Sequence, residues 1–346
     1  MTFPLSVLDL SPIGTGSSAI EAVRNTIDLA RLADRLGYTR YWLAEHHNMP
    51  GIASSAPEVL IGAVARETTR LRVGSGGIML PNHAPLKVAE TFRVLAALHP
   101  GRIDLGIGRA PGTDQMTAFA LRRSREALRA DDFPAQLGEL LAFATDQFPA
   151  GHPFQSVRAV PVDVPLPPIW LLGSSDYSAQ VAAAIGVGFA FARHISPEGA
   201  VEAMRLYREQ FVPSETLPEP QTILAVSVIC ADTDERANEL ASSAALSFLR
   251  LRSGHPGLLP SPEEAKAYPY TPMEQEQVQA SRARSVIGGP SVVGARLREL
   301  IDETEADELM VTTMIHAHTE RLRSYELLAD LFALSRSTPA TDGAAP

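Results

Sequence analysis

The sequence predicts an α/β protein whose parallel strands close into a (β/α)8 TIM barrel. Three observations carry that expectation. Short apolar runs alternate with stretches of helical periodicity along nearly the whole chain, a pattern that rules out hairpins and requires crossover connections. Eight such strand units occur, which favours a closed barrel over an open doubly wound sheet. Glycines, histidines, serines and one arginine collect just after the apolar runs, at the carboxyl ends of strands, where such folds bind their ligands.

In chain order, Phe3–Asp9 reads as the first strand. Ser18–Leu36 carries Ile20, Val23, Ile27, Ala30 and Leu32 at helical spacing and stops at Gly37, a normal helix terminator. Tyr41–Ala44 is the second strand and Pro57–Thr69 the second helix. Leu71–Leu80 is the third strand, interrupted by Gly74, Gly76 and Gly77, and Leu86–Leu98 the helix after it. Ile103–Ile107 is the fourth strand; Thr113–Gln147 is helical in pattern and leads into a proline-rich insertion ending at Pro168. Strands five to seven are Ile169–Leu172, Gly188–Ala192 and Ile223–Cys230, followed by helices at Tyr177–Ile185, Pro197–Phe211 and Thr233–Leu251. Val292–Glu303 is a helix, Glu308–Met314 the last strand and Glu320–Leu334 the closing helix.

One segment breaks the rhythm. Arg252–Gly289 holds Gly254, Pro256, Gly257, Pro260, Pro262, Pro269 and Pro272, and reads as an insertion without regular structure. Tyr268, Tyr270 and Met273 would let it close over a ligand as a mobile lid at 252–289. Residues 1–334 are expected to form one domain, and 335–346, rich in Ser, Thr, Pro, Ala and Gly, a disordered tail.

The 346 residues are 45% hydrophobic and 20% charged, as in an ordinary soluble enzyme. A net charge of -10 argues against nucleic acid or an anionic membrane as partner. The single Cys230 reads as a small buried hydrophobe, so no disulfide framework exists and a reducing cytoplasm fits. The N-terminus has no basic region before its apolar stretch, and no apolar run reaches the roughly 18 residues of a membrane span.

The most informative stretch is Tyr41–His47, Y-W-L-A-E-H-H. A β-prone run ends in an acid and two histidines, placing three proton-transfer or ligand groups at one strand end. Gly173-Ser174-Ser175-Asp176 follows a strand and opens a helix, where small residues let backbone N–H groups approach a phosphate. Taken by themselves, those four residues read more readily as an ordinary helix cap by Ser175 or Asp176. Arg109, at a neighbouring strand end, adds the bidentate fork that phosphate prefers. Gly74-Ser75-Gly76-Gly77 suggests either a bulge or close backbone approach by a flat ligand.

Two other patterns compete. Gly14-Thr15-Gly16-Ser17-Ser18-Ala19 matches a nucleotide fingerprint, with Glu45 as the ribose acid. Ser11-Pro12-Ile13 separates strand from glycines, however, where that motif needs an immediate turn, so the segment reads as a loop at the barrel mouth. His316-Ala317-His318, facing one way on a strand, could join His46 and His47 in the metal site of a barrel hydrolase. No obvious carboxylate lies beside it, and it reads as a polar rim with no metal.

W-L-A-E-H-H, L-R-V-G-S-G-G-I-M-L-P, G-R-I-D-L-G-I-G-R-A and P-I-W-L-L-G-S-S occur in that order. Together they resemble the bacterial luciferase-like flavin-dependent monooxygenase superfamily, most closely its single-subunit oxidoreductases of unassigned substrate, from Phe3 to about Leu334. The resemblance implies a barrel that binds FMN at its carboxyl face and uses reduced FMN and O2 to oxygenate a small organic substrate. Gly76-Gly77 matches the site of a non-prolyl cis peptide beside the flavin ring. Arg109 matches the phosphate-binding arginine, and Gly173, Ser174, Ser175 and Ser178 the phosphate loop. His46 matches a histidine proposed as catalytic base, and Glu45 an acid beside the flavin. A homodimer through the helices after strands two and three is also implied.

Without a sound nicotinamide fingerprint, a separate NAD(P)H:flavin reductase is expected to supply the reduced cofactor. Ser174 replaces an acidic residue of luciferase proper, and Gly76-Gly77 a pair of alanines, which warns against assuming light emission or a long-chain aldehyde substrate. Deazaflavin-dependent oxidoreductases share the barrel and are an alternative. A non-catalytic flavin-binding relative is another, against which the Glu45-His46 pair and the lid speak.

Overall fold

The computed structural model describes residues 3–124 and 132–335. Part of the expected helix Thr113–Gln147 (125–131) and the expected tail from 336 onward lie outside the described residues.

The strands are β1 (Leu5–Asp9), β2 (Arg40–Leu43), β3 (Arg72–Ser75), β4 (Ile78–Met79), β5 (Ile103–Gly108), β6 (Ile169–Gly173), β7 (Gly188–Ala192), β8 (Thr222–Cys230), β9 (Val286–Gly288) and β10 (Glu308–Thr312). Eight of them form a closed parallel ring in the order β1, β2, β3, β5, β6, β7, β8, β10, which returns to β1. This is the expected barrel. β4 resumes along β5 after a cis Gly76–Gly77 peptide, and β9 pairs with the end of β8.

Side chains alternate along each strand, so the ring carries two cores. Val7, Tyr41, Leu43, Val73, Leu105, Phe189 and Leu309 pack outward under the helices. Leu8, Trp42, Trp170, Ala190, Ile223 and Met310 fill the interior, where Trp42 and Trp170 meet edge to face at 5.7 Å between ring centroids. At the amino end of the strands the interior is ionic. Arg40 bridges Asp104 at 2.8 Å and Glu308 at 3.0 Å, Arg72 holds Asp104 at 2.5 Å, and Ser6 donates to Glu308. Gly74 is explained here, because a Cβ on it would lie 2.6 Å from the Asp104 carbonyl and 2.9 Å from Trp42 Nε1. The close approach is made by protein.

Helices cover the ring: α1 (Ala19–Leu36), α2 (Pro57–Glu67), α3 (Pro85–Leu98), α4 (Gln115–Arg122), α5 (Phe133–Thr145), α6 (Asp176–Ile185), α7 (Ala200–Gln210), α8 (Asp234–Arg252), α9 (Pro262–Ala267), α10 (Pro272–Arg282), α11 (Pro290–Thr304) and α12 (His318–Leu331). Ser18 caps α1 in a reciprocal box with Glu21, so the nucleotide-like glycine run is the loop entering α1. Cys230 is buried and unpaired. No described helix is long and apolar enough to cross a membrane.

The segment 252–289 departs from its expected irregularity. Pro262 and Pro272 stand in the first turn of α9 and α10, behind the capping boxes Ser261/Glu264 and Thr271/Glu274. Proline there begins a helix, since its missing N–H would have had no partner anyway. Tyr268 and Tyr270 pack with Val278 around Leu246, Leu249 and Ala265, against α8, leaving Met273 exposed. The segment is also tied to the loop after β1: Leu259 N–H donates to Ile13 O and Thr15 N–H to Leu259 O, each at 2.9 Å. Thr15 Oγ1 donates to Glu264 at 2.7 Å.

Candidate active site

Along β2 the inward positions are Arg40, Trp42 and Ala44, and His46 continues that series to the carboxyl end. Glu45 faces the other way and is fully buried. Its Oε1 accepts from Nε2 of His47 and of His83, both at 2.9 Å, and Oε2 accepts the Met79 N–H at 2.8 Å. Burial alone would push the Glu45 carboxyl up. The His83 hydrogen bond and charge, then the Met79 amide and His47, outweigh it and hold Glu45 below the usual carboxylate range. His83 is raised in turn, its contact with Glu45 overcoming burial. Glu45 therefore clamps the loops after β2 and β4 together. The structure does not place it with His46.

His46 lines a cavity of about 260 Å³ at the carboxyl mouth. Its Nδ1 is buried without a hydrogen-bond partner, and burial lowers its pKa against the opposing charge of Glu45. The strand ends supply one wall with Leu10, His46, His194, Ser227 and Thr312; α8 and the stretch from Ser281 to Ile287 supply the roof. A Ser285–Ser227 hydroxyl contact of 3.0 Å joins the two.

His194 is the residue sequence reading missed. It follows β7, which stands opposite β2 in the eight-strand ring, and so faces the same cavity. Its Nδ1 lies 3.3 Å from the Ala225 carbonyl, which assigns the proton to Nδ1 and leaves Nε2 as an acceptor. Burial holds its pKa at about 4, so the ring is neutral at pH 7. A signal existed: His194 stands two residues past its apolar run, as His46 does past Ala44.

A second group gathers at the adjoining arc. The β5–β6 register, with Gly108 opposite Leu172, sets Arg109 beside Gly173. Arg109 is exposed, and its guanidinium lies 4.7 Å from the Tyr177 ring centroid at the start of α6. Ser175 is the N-cap of α6 but its side chain makes no capping bond, so the first-turn amides have no side-chain acceptor. A Cβ on Gly173 would lie 2.2 Å from Ser178 Oγ; glycine is what lets Ser178 pack against the strand end. His46, Gly76-Gly77, Arg109 and Gly173–Ser178 thus occupy four consecutive strand ends, those of β2, β3, β5 and β6.

His316 and His318 do not act together. β10 ends at Thr312, short of the expected Met314, so neither histidine is on a strand. His316 Nε2 contacts the Thr15 carbonyl at 2.9 Å, while His318 opens α12 and contacts Asp28 at 3.0 Å. Among the described residues no group of three or more His, Cys, Asp or Glu is placed to hold a metal ion.

Comparison with known proteins gives a family. A family model described as luciferase-like monooxygenase matches residues 3–308. A luciferase-like monooxygenase of Escherichia coli (strain K12) is 48% identical over 330 residues, covering 95% of this chain and 97% of that protein. The crystal structure of apo-MsnO8 superposes with a TM-score of 0.88 at 42% identity, covering 97% of this chain and 99% of that one. The oxygenating constituent of 3,6-diketocamphane monooxygenase from a Pseudomonas putida plasmid, solved with FMN, has a TM-score of 0.69. At 17% identity, with 98% of this chain and 100% of that one covered, it shares the fold.

Proposed function

The chain belongs to the luciferase-like monooxygenase family, and from that premise we propose an FMN-dependent monooxygenase that uses reduced FMN and O2 to oxygenate a small organic substrate. The observation that carries this reading is the run of four neighbouring strand ends, from the cavity histidine to the phosphate-type cradle. The residues fit the cofactor. Arg109 offers a guanidinium with no carboxylate in ion-pair contact among the described residues, and the start of α6 offers amides without a side-chain cap. Gly173, Ser174, Ser175 and Ser178 would hold the phosphate between them, with Gly76-Gly77 beside the ring. Among the described residues nothing comparable is built for an adenosine, which favours FMN over FAD.

Bound reduced flavin supplies the reactivity toward O2. The protein's share is binding, orientation and exclusion of water by the roofed cavity. His46, inward and poorly solvated, serves as base or hydrogen-bond partner at the reacting end. Glu45 acts through others, fixing His47, His83 and the Met79 backbone. A separate NAD(P)H:flavin reductase delivers the reduced cofactor. A homodimer would cover Val59 on α2 and Val94 and Leu98 on α3, which are exposed by 68%, 47% and 65%.

Titration of the purified protein with FMN, FAD and a deazaflavin, oxidised and reduced, tests the assignment. Reduced FMN should bind tightest and support turnover. Equal FAD binding, or turnover with the deazaflavin alone, would overturn it.

A further inference from the structure

The cavity beside His46 contains a cation for which the proposed chemistry has no use. Arg284 is half-buried in its roof. It also lines a second cavity of about 190 Å³, sharing Phe248 and Ser281 with the first, so the arginine stands at the junction of the two. Its guanidinium carbon lies 5.8 Å from the Phe248 ring centroid. Among the described residues no carboxylate forms an ion pair with it and no hydrogen bond leaves its guanidinium. The surroundings add positive charge. Among the described residues the Arg282 guanidinium hydrogen-bonds only the neutral Asn238, at 2.5 Å to Oδ1 and 3.3 Å to the carbonyl. Arg193 is buried and donates to the Arg284 carbonyl at 3.1 Å.

A half-desolvated guanidinium with its donors unmade favours an anion, and its planar fork matches a carboxylate. The rest of the lining is mostly apolar, with Ile229, Ala241, Ala245 and Phe248 set among the hydroxyls of Ser227, Ser247 and Ser285. The volume is near the lower edge of small-molecule sites, which span about 300–1,000 Å³. We infer that the substrate is a small organic acid, an apolar body whose carboxylate is held by Arg284 while its other end meets His46 and His194. That the histidine end is the reacting end rests on the monooxygenase reading; the carboxylate site does not.

The test uses a matched pair of probes, hexanoate and hexanamide, titrated into FMN-loaded and FMN-free protein by ligand-observed NMR. Hexanoate should bind more tightly than hexanamide by about tenfold to a hundredfold, the usual worth of a charged hydrogen bond. Arg284→Gln should abolish that preference, whereas Arg282→Gln, tethered to Asn238, should lessen it by a smaller factor and Arg109→Ala should leave it intact. FMN affinity and thermal midpoint of Arg284→Gln, measured on the same samples, should equal those of the parent. A cavity-filling Ala244→Leu should weaken both probes, which locates them. Equal binding of the two probes, no hexanoate binding at millimolar concentration, or a preference that survives Arg284→Gln overturns the proposal. Failure of FMN to bind would sink the flavin reading while leaving the hexanoate preference measurable.

Discussion

The two arcs of the barrel mouth are built to opposite specifications. Between β7, β8, β10, β1 and β2 the strand ends are roofed by α8 and Ser281–Ile287, and two histidines of lowered basicity face one cavity. At β5 and β6 the mouth is open, with Arg109 exposed and the first turn of α6 lacking a side-chain cap. The roofed arc limits the access of water, and the same cover partly desolvates the imidazoles and keeps them neutral. The open arc keeps an arginine hydrated, so it rests without cost until an anion arrives. On the proposed reading, one ring of strands separates proton handling from phosphate binding by covering one side only.

The largest effect should come from the roofed arc. His46→Ala is expected to lower turnover by about 10²–10⁴-fold, the usual contribution of a positioned acid–base group, with FMN affinity nearly unchanged. Single-turnover kinetics with reduced FMN check this, and full activity in the variant would move the chemistry elsewhere. On the open arc, Arg109→Ala should weaken FMN by about tenfold to a hundredfold while riboflavin affinity stays constant. Because Arg109 is exposed, its thermal midpoint should not move; parallel losses for both ligands would show that the two arcs are not separable.

The half-buried histidines give the comparison a pH signature. His194 titrates at about 4 in the folded protein and near 6.5 when unfolded. Between those values the unfolded chain binds more protons, so stability is full above the unfolded value and falls as pH drops toward the folded one. Urea unfolding should show a loss of roughly 1–2 kcal/mol between pH 7 and about pH 5. The loss should shrink in His194→Gln; an unchanged slope in that variant would mean that the roof does not desolvate the ring. The smallest effect concerns the roof itself. We propose that 252–289 acts as a lid, and flavin plus substrate should then slow proteolysis around Gly254 by a few-fold. Cleavage indifferent to ligand would make the roof a fixed cover.

The sequence made the ring legible because its evidence is short-ranged. Short apolar runs between stretches of 3.6-residue periodicity placed all eight barrel strands, and Gly37 marked the end of α1 by local geometry alone. The insertion departs from expectation for a local reason too. Its prolines suggest breakers, although S-P-E-E at Ser261 and T-P-M-E at Thr271 spell capping boxes that start helices. Arg109 and the Gly173 loop could be suspected of acting together, but only the β5–β6 register brings them side by side.

The adjacent pair Glu45-His46 shows where sequence stops. The chain by itself determined that an acid and two histidines end a buried strand, and that a glycine–serine loop opening a helix follows another. Only closure of the barrel decided which alternate residues face its axis. That parity sends His46 into the cavity and turns Glu45 outward onto His83, 38 residues away along the chain. It also sets His194 opposite His46 from the far side of the ring. Side-chain direction flips with every residue of a strand, so one bit of tertiary information, where the axis lies, separates the residue that lines the site from the one that braces it.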